Sequence, residues 1–99
     1  MGRRSHPYPE WLKAWKRSGS PTWPKQAVIV MLHWTDAAYS EDEPGTVNAH
    51  LIGFLTQADE KHIALGMEAF EDGDTRTHIT VPAGMVNAIV TLGTLKRSS

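Results

Sequence analysis

The side chains best equipped for chemistry in this 99-residue chain are five histidines, eleven carboxylates and four tryptophans; there is no cysteine. Thiolate nucleophiles, disulfides and cysteine-type zinc sites are therefore excluded. No catalytic motif appears, so candidate sites must come from residues that strand pairing could bring together. If a strand over 46–56 pairs with one over 62–70 so that Leu55 faces Ile63, His50 lies opposite Glu68. Extending that register to the next strand sets His78 beside Glu68. Side chains on adjacent strands stand about 5 Å apart, and two imidazoles with a carboxylate are adequate zinc ligands. The competing reading of His50, Glu68 and His78 is a polar patch on the outer face or a charge-assisted network at a subunit contact. A zinc hydrolase would also need an open coordination position and a separate general base, and the spacing identifies neither.

A second constellation follows the first apolar run. The Trp34 indole could stack on a base, an interaction worth about 1–3 kcal/mol, while Asp36 could accept hydrogen bonds from the base edge or ribose. Arg76, Lys16 and Arg17 are candidate phosphate contacts. The structural alternatives are that Trp34 closes one end of the core, Asp36 caps a turn and the cations are solvated.

These groups need elements to hold them. Residues 9–19 read as a short helix, with Pro9 near the first position, Glu10 in the first turn, Lys16 and Arg17 in the last, and Gly19 at the stop. Trp11 and Trp15 fall on one face at i and i+4, with Leu12 beside them. The prolines of 20–24 make an extended connector. Five strands then follow: 27–34, 46–56, 62–70, 77–81 and 86–92, with an acidic break at 40–45, turns at 57–60 and 71–74, and room for one 3₁₀ turn at 83–85. Strand alternation puts Val47, Ala49, Leu51, Gly53 and Leu55 on one core face, and Ile63, Leu65, Met67 and Ala69 on another. Ile29, Met31, Ile52, Phe54 and Phe70 point the other way. That second apolar face predicts a homo-oligomer, with the aromatic helix covering part of it.

Composition predicts one domain organised as a basic Trp-rich arm (1–24), a small β module (25–95) and a polar tail (96–99). The net charge of −1 conceals an asymmetry. Residues 1–25 carry six cations against Glu10, a balance of +5, whereas the remainder carries four cations and ten carboxylates, a balance of −6. Such an arm can bind a polyanion, or the acidic body of a neighbouring subunit or partner protein. No apolar run approaches the roughly 20 residues of a membrane span. The expectation is a cytoplasmic protein without a cofactor and without membrane association.

The order of a helix, five short strands and a tight turn before the last strand resembles Sm-like proteins over residues 9–92, and an SH3-like barrel shares the five-strand part. Asn48 to Phe54, Ile63-Ala64-Leu65 and the acidic stretch from Glu68 to Asp72 look like the first Sm motif, and Val81 to Val86 occupies the place of the second. Where Sm proteins present an Asp and an Asn to an RNA base, this chain has Gln57-Ala58-Asp59 and Ala64, and Pro82 replaces a glycine-containing motif. Trp34-Thr35-Asp36-Ala37, with the late Val81-Pro82 and Ile89, is similar to short uncharacterised phage-encoded proteins. The resemblances imply a mostly β fold: a five-stranded SH3-like or Sm-like barrel with a short N-terminal helix. They also imply a non-enzymatic oligomeric module that captures a nucleotide signal or short nucleic acid, in the host cytoplasm if phage-encoded. A structural or assembly protein, and a metal-dependent hydrolase, are the alternatives.

Overall fold

A computed structural model describes residues 4–36 and 47–96. The acidic break at 40–45 and the end of the polar tail lie outside the described residues. The described chain folds as helix α1 (Tyr8–Arg17), strands β1 (Gln26–Asp36), β2 (Val47–Ala58), β3 (His62–Ala69) and β4 (Thr75–Pro82), a 3₁₀ turn (Ala83–Met85), and strand β5 (Val86–Lys96). The five strands form one antiparallel sheet in the order β4-β3-β2-β1-β5. Mostly β architecture and five strands match the sequence expectation. The sheet itself is open, with β4 and β5 as its edges, so the expected barrel closure is not part of the observed hydrogen bonding.

One face of the sheet carries the core. Val30, Leu32, Leu55, Ile63, Leu65 and Ile89 are fully buried, and Val28 and Val81 nearly so. Their spacing of two along β1 and β3 is the alternation of a pleated strand with one face covered. Tyr8, Trp11 and Leu12 of α1 belong to the same cluster. The arm and the β module therefore share one core. The sequence expectation placed the helix over the second apolar face, but α1 docks on the core side. What covers the second face locally is Trp23 of the connector, whose ring sits 5.6 Å from that of Phe54. Its indole N–H donates to the Gly73 carbonyl at 2.8 Å. The Trp23–Pro24 peptide is cis. Elsewhere on that face Arg76 packs over Phe70, Ile29 and Met31 are half-buried, and Ile52 is 53% exposed.

Bulges set the registers. The β1–β5 ladder shifts between Ile29 and Val30 and again between His33 and Trp34, and the β2–β3 ladder shifts between Leu55 and Gln57. Each extra residue bends its strand and adds twist, which curves the sheet around its core. Leu55 pairs with Leu65, and not with Ile63 as the sequence register supposed. Gly53 lies where β2 and β3 approach closely: a β-carbon there would stand 3.0 Å from the Gly66 carbonyl and 3.1 Å from the Leu65 β-carbon, and would also strike the end of Met67. Because the first two obstacles are backbone and β-carbon, the site cannot relax by a rotamer change alone. Gly53→Ala is expected to destabilise the fold by about 1–3 kcal/mol, measured as a lowered denaturant midpoint with an unchanged m-value.

Candidate functional site

The register disperses the His-Glu-His row. His50 pairs with His33 across β1–β2. Glu68 pairs with Arg76, and His78 pairs with Gly66. Continuing the Phe54–Gly66 register would bring Glu68 level with Ile52, two residues from His50. Thr77, between Arg76 and His78, is in the left-handed region at φ 56°, with the β3–β4 register unchanged across it. The His78 ring turns back to hydrogen-bond the Thr75 hydroxyl, on the same strand. No group of three or more metal-ligating side chains occurs among the described residues. The row is dispersed because β2 and β3 leave their turn with Ala58 against Ile63 and Gln57 against Ala64, and the Leu55/Gln57 bulge changes that register by only one residue; neither feature can be read from alternation.

The nucleotide-site candidates are likewise separated. Trp34 lies at the end of β1, paired with Ala49 and Val86. It is half-buried against the core, and its indole N–H is buried without a hydrogen-bond partner among the described residues. This agrees with the structural alternative of a side chain closing one end of the core. Asp36 is the last residue of β1, paired with Val47. Arg76 lies on edge strand β4 with its guanidinium 5.0 Å from the centre of the Phe70 ring. Lys16 pairs with Glu60 in the β2–β3 turn. Arg76 lines a shallow groove of about 250 Å³ beside Phe70, and Arg17 faces a larger one.

That groove runs between α1 and the strands β1 and β5, encloses about 740 Å³, and is lined by Arg4, Lys13 and Arg17 around Trp11 and Trp15. Its construction begins with α1. Pro7 precedes the helix, Glu10 lies in its first turn, and Lys16 and Arg17 lie in its last, where they complement the helix dipole. Trp11 and Trp15, one turn apart, stack at 5.7 Å with an interplanar angle of 10°. Tyr8 extends the stack, 5.9 Å from Trp11. Each polar tip finds a partner: Trp11 Nε1 donates to Thr91 Oγ1 at 2.9 Å, Trp15 Nε1 to the Pro21 carbonyl at 2.9 Å, and the Tyr8 hydroxyl to the Asp59 carbonyl at 2.7 Å. The rings are thus locked as a rigid apolar floor.

Lys13 and Arg17 stand at i and i+4, on the same side of the helix. Arg4 arrives from the chain preceding the helix, because His6 pairs with Ile89 on the outer edge of β5 through two backbone hydrogen bonds of 2.9 Å. The rim therefore has three cations against the single carboxylate of Glu10. None of the three cations has an ion-pair partner among the described residues. The Lys13/Arg17 spacing was legible in the sequence, but the His6–Ile89 bridge that adds Arg4 was not, since it joins residues at opposite ends of the chain.

The groove's geometry depends on how the β2–β3 turn grips α1. Asp59 Oδ1 accepts from the backbone N–H groups of Lys61 and His62, both at 2.8 Å, and these bonds hold its carboxyl below the usual range. Glu60 is lowered chiefly by its hydrogen bond from Lys16. Burial, then the nearby Asp59 charge, pushes the Tyr8 phenol from 10.0 up to about 12. A phenol whose folded-state pKa exceeds its unfolded value stabilises the fold fully below the unfolded value and loses that contribution as pH rises through the folded one. The melting temperature of the wild-type chain should therefore fall between pH 10 and 12 more steeply than that of Tyr8→Phe, as followed by circular dichroism. Coincident curves would show that Tyr8 is not the group titrating.

Comparison with known proteins supplies no further assignment: no family model, curated protein or solved structure matches this chain.

Proposed function

We propose that this chain is a small binding module that captures a phosphate-bearing nucleotide or short nucleic acid without transforming it, and that the ligand occupies the groove between α1 and the β1/β5 side of the sheet. The observation that carries this reading is the juxtaposition of Arg4, Lys13 and Arg17 with the stacked indoles of Trp11 and Trp15. Phosphates suit the cationic rim, since guanidinium and ammonium groups form charge-assisted hydrogen bonds to their oxygens. A base suits the apolar floor, where it can pack against aromatic and aliphatic surface. Arg17 lines this groove, whereas Trp34 and Asp36 lie toward the end of β1, Arg76 on β4 and Lys16 beside Glu60. An SH3-like or Sm-like barrel remains the finer architectural reading, supported by the strand order, the bulge-driven curvature and the 3₁₀ turn between β4 and β5. The phage resemblance of Trp34-Thr35-Asp36 is compatible with a module that sequesters a nucleotide signal in a host cytoplasm.

Titration with ATP and with a ten-nucleotide oligouridylate, followed by fluorescence of the groove tryptophans and by thermal shift, tests the reading. Binding of either probe should raise the melting temperature through linkage. Lys13→Glu with Arg17→Glu should weaken binding by tenfold or more, while Arg76→Glu leaves it unchanged. Affinity should also fall with added salt, as expected where cations meet phosphates. A flat response to both probes, or equal binding by the double variant, would overturn the groove as a nucleotide site.

A second reading, homo-oligomeric or partner-protein assembly, is favoured by the exposure of Ile52 (53%) and of Leu95 on edge strand β5 (64%). Because Tyr8, Trp11 and Leu12 are core residues, deleting residues 1–24 would expose the core and could not isolate an assembly role. Ile52→Lys with Leu95→Lys is the cleaner variant. Under the assembly reading it should reduce the particle mass in light scattering without lowering the melting temperature of the folded chain, whereas an unchanged mass would exclude these residues as the contact.

A further inference from the structure

The outer face of β1 and β2 carries a second arrangement of chemistry-bearing groups, separate from the groove. Residues two apart along a strand share a face, so Met31, His33 and Thr35 of β1 lie in one column opposite Ile52, His50 and Asn48 of β2. His33 and His50 are direct cross-strand partners, with ring centroids 4.8 Å apart and planes within 17° of parallel. We propose that this pair is a two-imidazole chelating site for a divalent transition ion of the zinc, nickel or copper class.

Three observations carry the assignment. The first is reach: cross-strand β-carbons stand about 4.5–5.5 Å apart, which delivers two imidazoles to one point without moving the backbone. Two Zn–N bonds of about 2.0–2.1 Å meeting at a tetrahedral angle separate their nitrogens by about 3.3 Å. Rings already nearly parallel at 4.8 Å attain that separation by tilting their outer edges together. The second is freedom. No hydrogen bond or ion pair engages either ring among the described residues. His50 is exposed, His33 is half-buried, and the partner of His33 on its β5 side is Ala88, whose small side chain leaves that flank open.

The third is the setting of the pair. Its neighbours in the column are apolar Met31 and Ile52 on one side and neutral Thr35 and Asn48 on the other, with no lysine or arginine to oppose a cation. Thr35 is fixed by a 2.6 Å hydrogen bond from Asn87 Nδ2, and donates to Asn48 Oδ1 at 2.8 Å. This ladder braces β1, β2 and β5 immediately beside the histidines. The chelate uses neutral imidazole, so binding competes with protons and strengthens as both rings deprotonate. Two protein ligands leave the remaining coordination positions to water. Borderline transition ions accept imidazole readily, whereas magnesium and calcium prefer oxygen donors.

Calorimetric titration of the full chain with Zn²⁺ in a non-chelating buffer, combined with histidine-selective NMR, provides the test. One Zn²⁺ should bind per chain, and the imidazole resonances of His33 and His50 should shift together. Affinity should fall by tenfold or more in His33→Ala and in His50→Ala, and should persist in His6→Ala, His62→Ala and His78→Ala. Ligation of both strands only in the native state should raise the wild-type melting temperature, and Mg²⁺ should not substitute. Unchanged Zn²⁺ affinity in both alanine variants would overturn the site, as would shifts confined to His6, His62 or His78. The NMR result is obtained on the wild-type chain, so it decides the matter even if an alanine variant fails to fold.

Discussion

The aromatic stack of Tyr8, Trp11 and Trp15 on the sheet is the interaction on which the remaining architecture depends. A sheet of this size has one large apolar face, and a ten-residue helix is too short to be stable alone in water. Each element requires the other: the helix gains its order by burying Tyr8, Trp11 and Leu12, and the sheet gains a cover for one face. Aromatic rings suit this contact because they bury large areas with few rotatable bonds. Their polar tips must still be satisfied, and the bonds to Thr91, Pro21 and Asp59 do so by tying α1 to β5, to the connector and to the β2–β3 turn. A stack anchored at three points has little freedom to slide, and this rigidity makes the adjoining groove a formed feature.

Charge follows from the same docking. The helix turns its aromatic side inward, so its cations must lie on the flanks or outside. Lys16 falls to one flank and neutralises Glu60, whereas Lys13 and Arg17 fall to the other and, with Arg4, create a concentration of positive potential. The sequence asymmetry of +5 against −6 is therefore divided between an internal ion pair and an unpaired rim. Surface ion pairs contribute little to stability, so the Lys16–Glu60 contact acts mainly in orienting the helix, and the unpaired cations retain their capacity for an external anion.

The two faces of the sheet do different work because β strands alternate while bulges do not respect the alternation. The inner face supplies the continuous core from Val28 to Ile89. On the outer face, apolar groups are covered piecemeal: Trp23 packs on Phe54, and the Arg76 guanidinium packs over Phe70. Between these covered points the His33–His50 pair and the Thr35–Asn48–Asn87 ladder occupy a polar stretch beside exposed Ile52. The outer face is therefore a mosaic, and the apolar set read from alternation overstated its continuity.

The sequence alone determined the helix, the five strands, their punctuation by Gly, Pro and Asp, and the inward sets Leu51/Gly53/Leu55 and Ile63/Leu65, because these follow from local periodicity and turn chemistry. It also determined that Trp11 and Trp15 share a face, since helical spacing is rigid. Tertiary structure decided which strands neighbour which residues across the sheet. The β2–β3 turn sets Ala58 against Ile63, and with the bulge after Leu55 this leaves Leu55 against Leu65, takes Glu68 and His78 out of the row of His50, and β1 supplies His33 in their place. Likewise, the cations of the groove are united only by a backbone bridge between His6 and Ile89, eighty-three positions apart. Alternation specifies the face of a side chain, but its cross-strand partner depends on register, and register is settled by bulges and long-range packing that leave no local periodic signal.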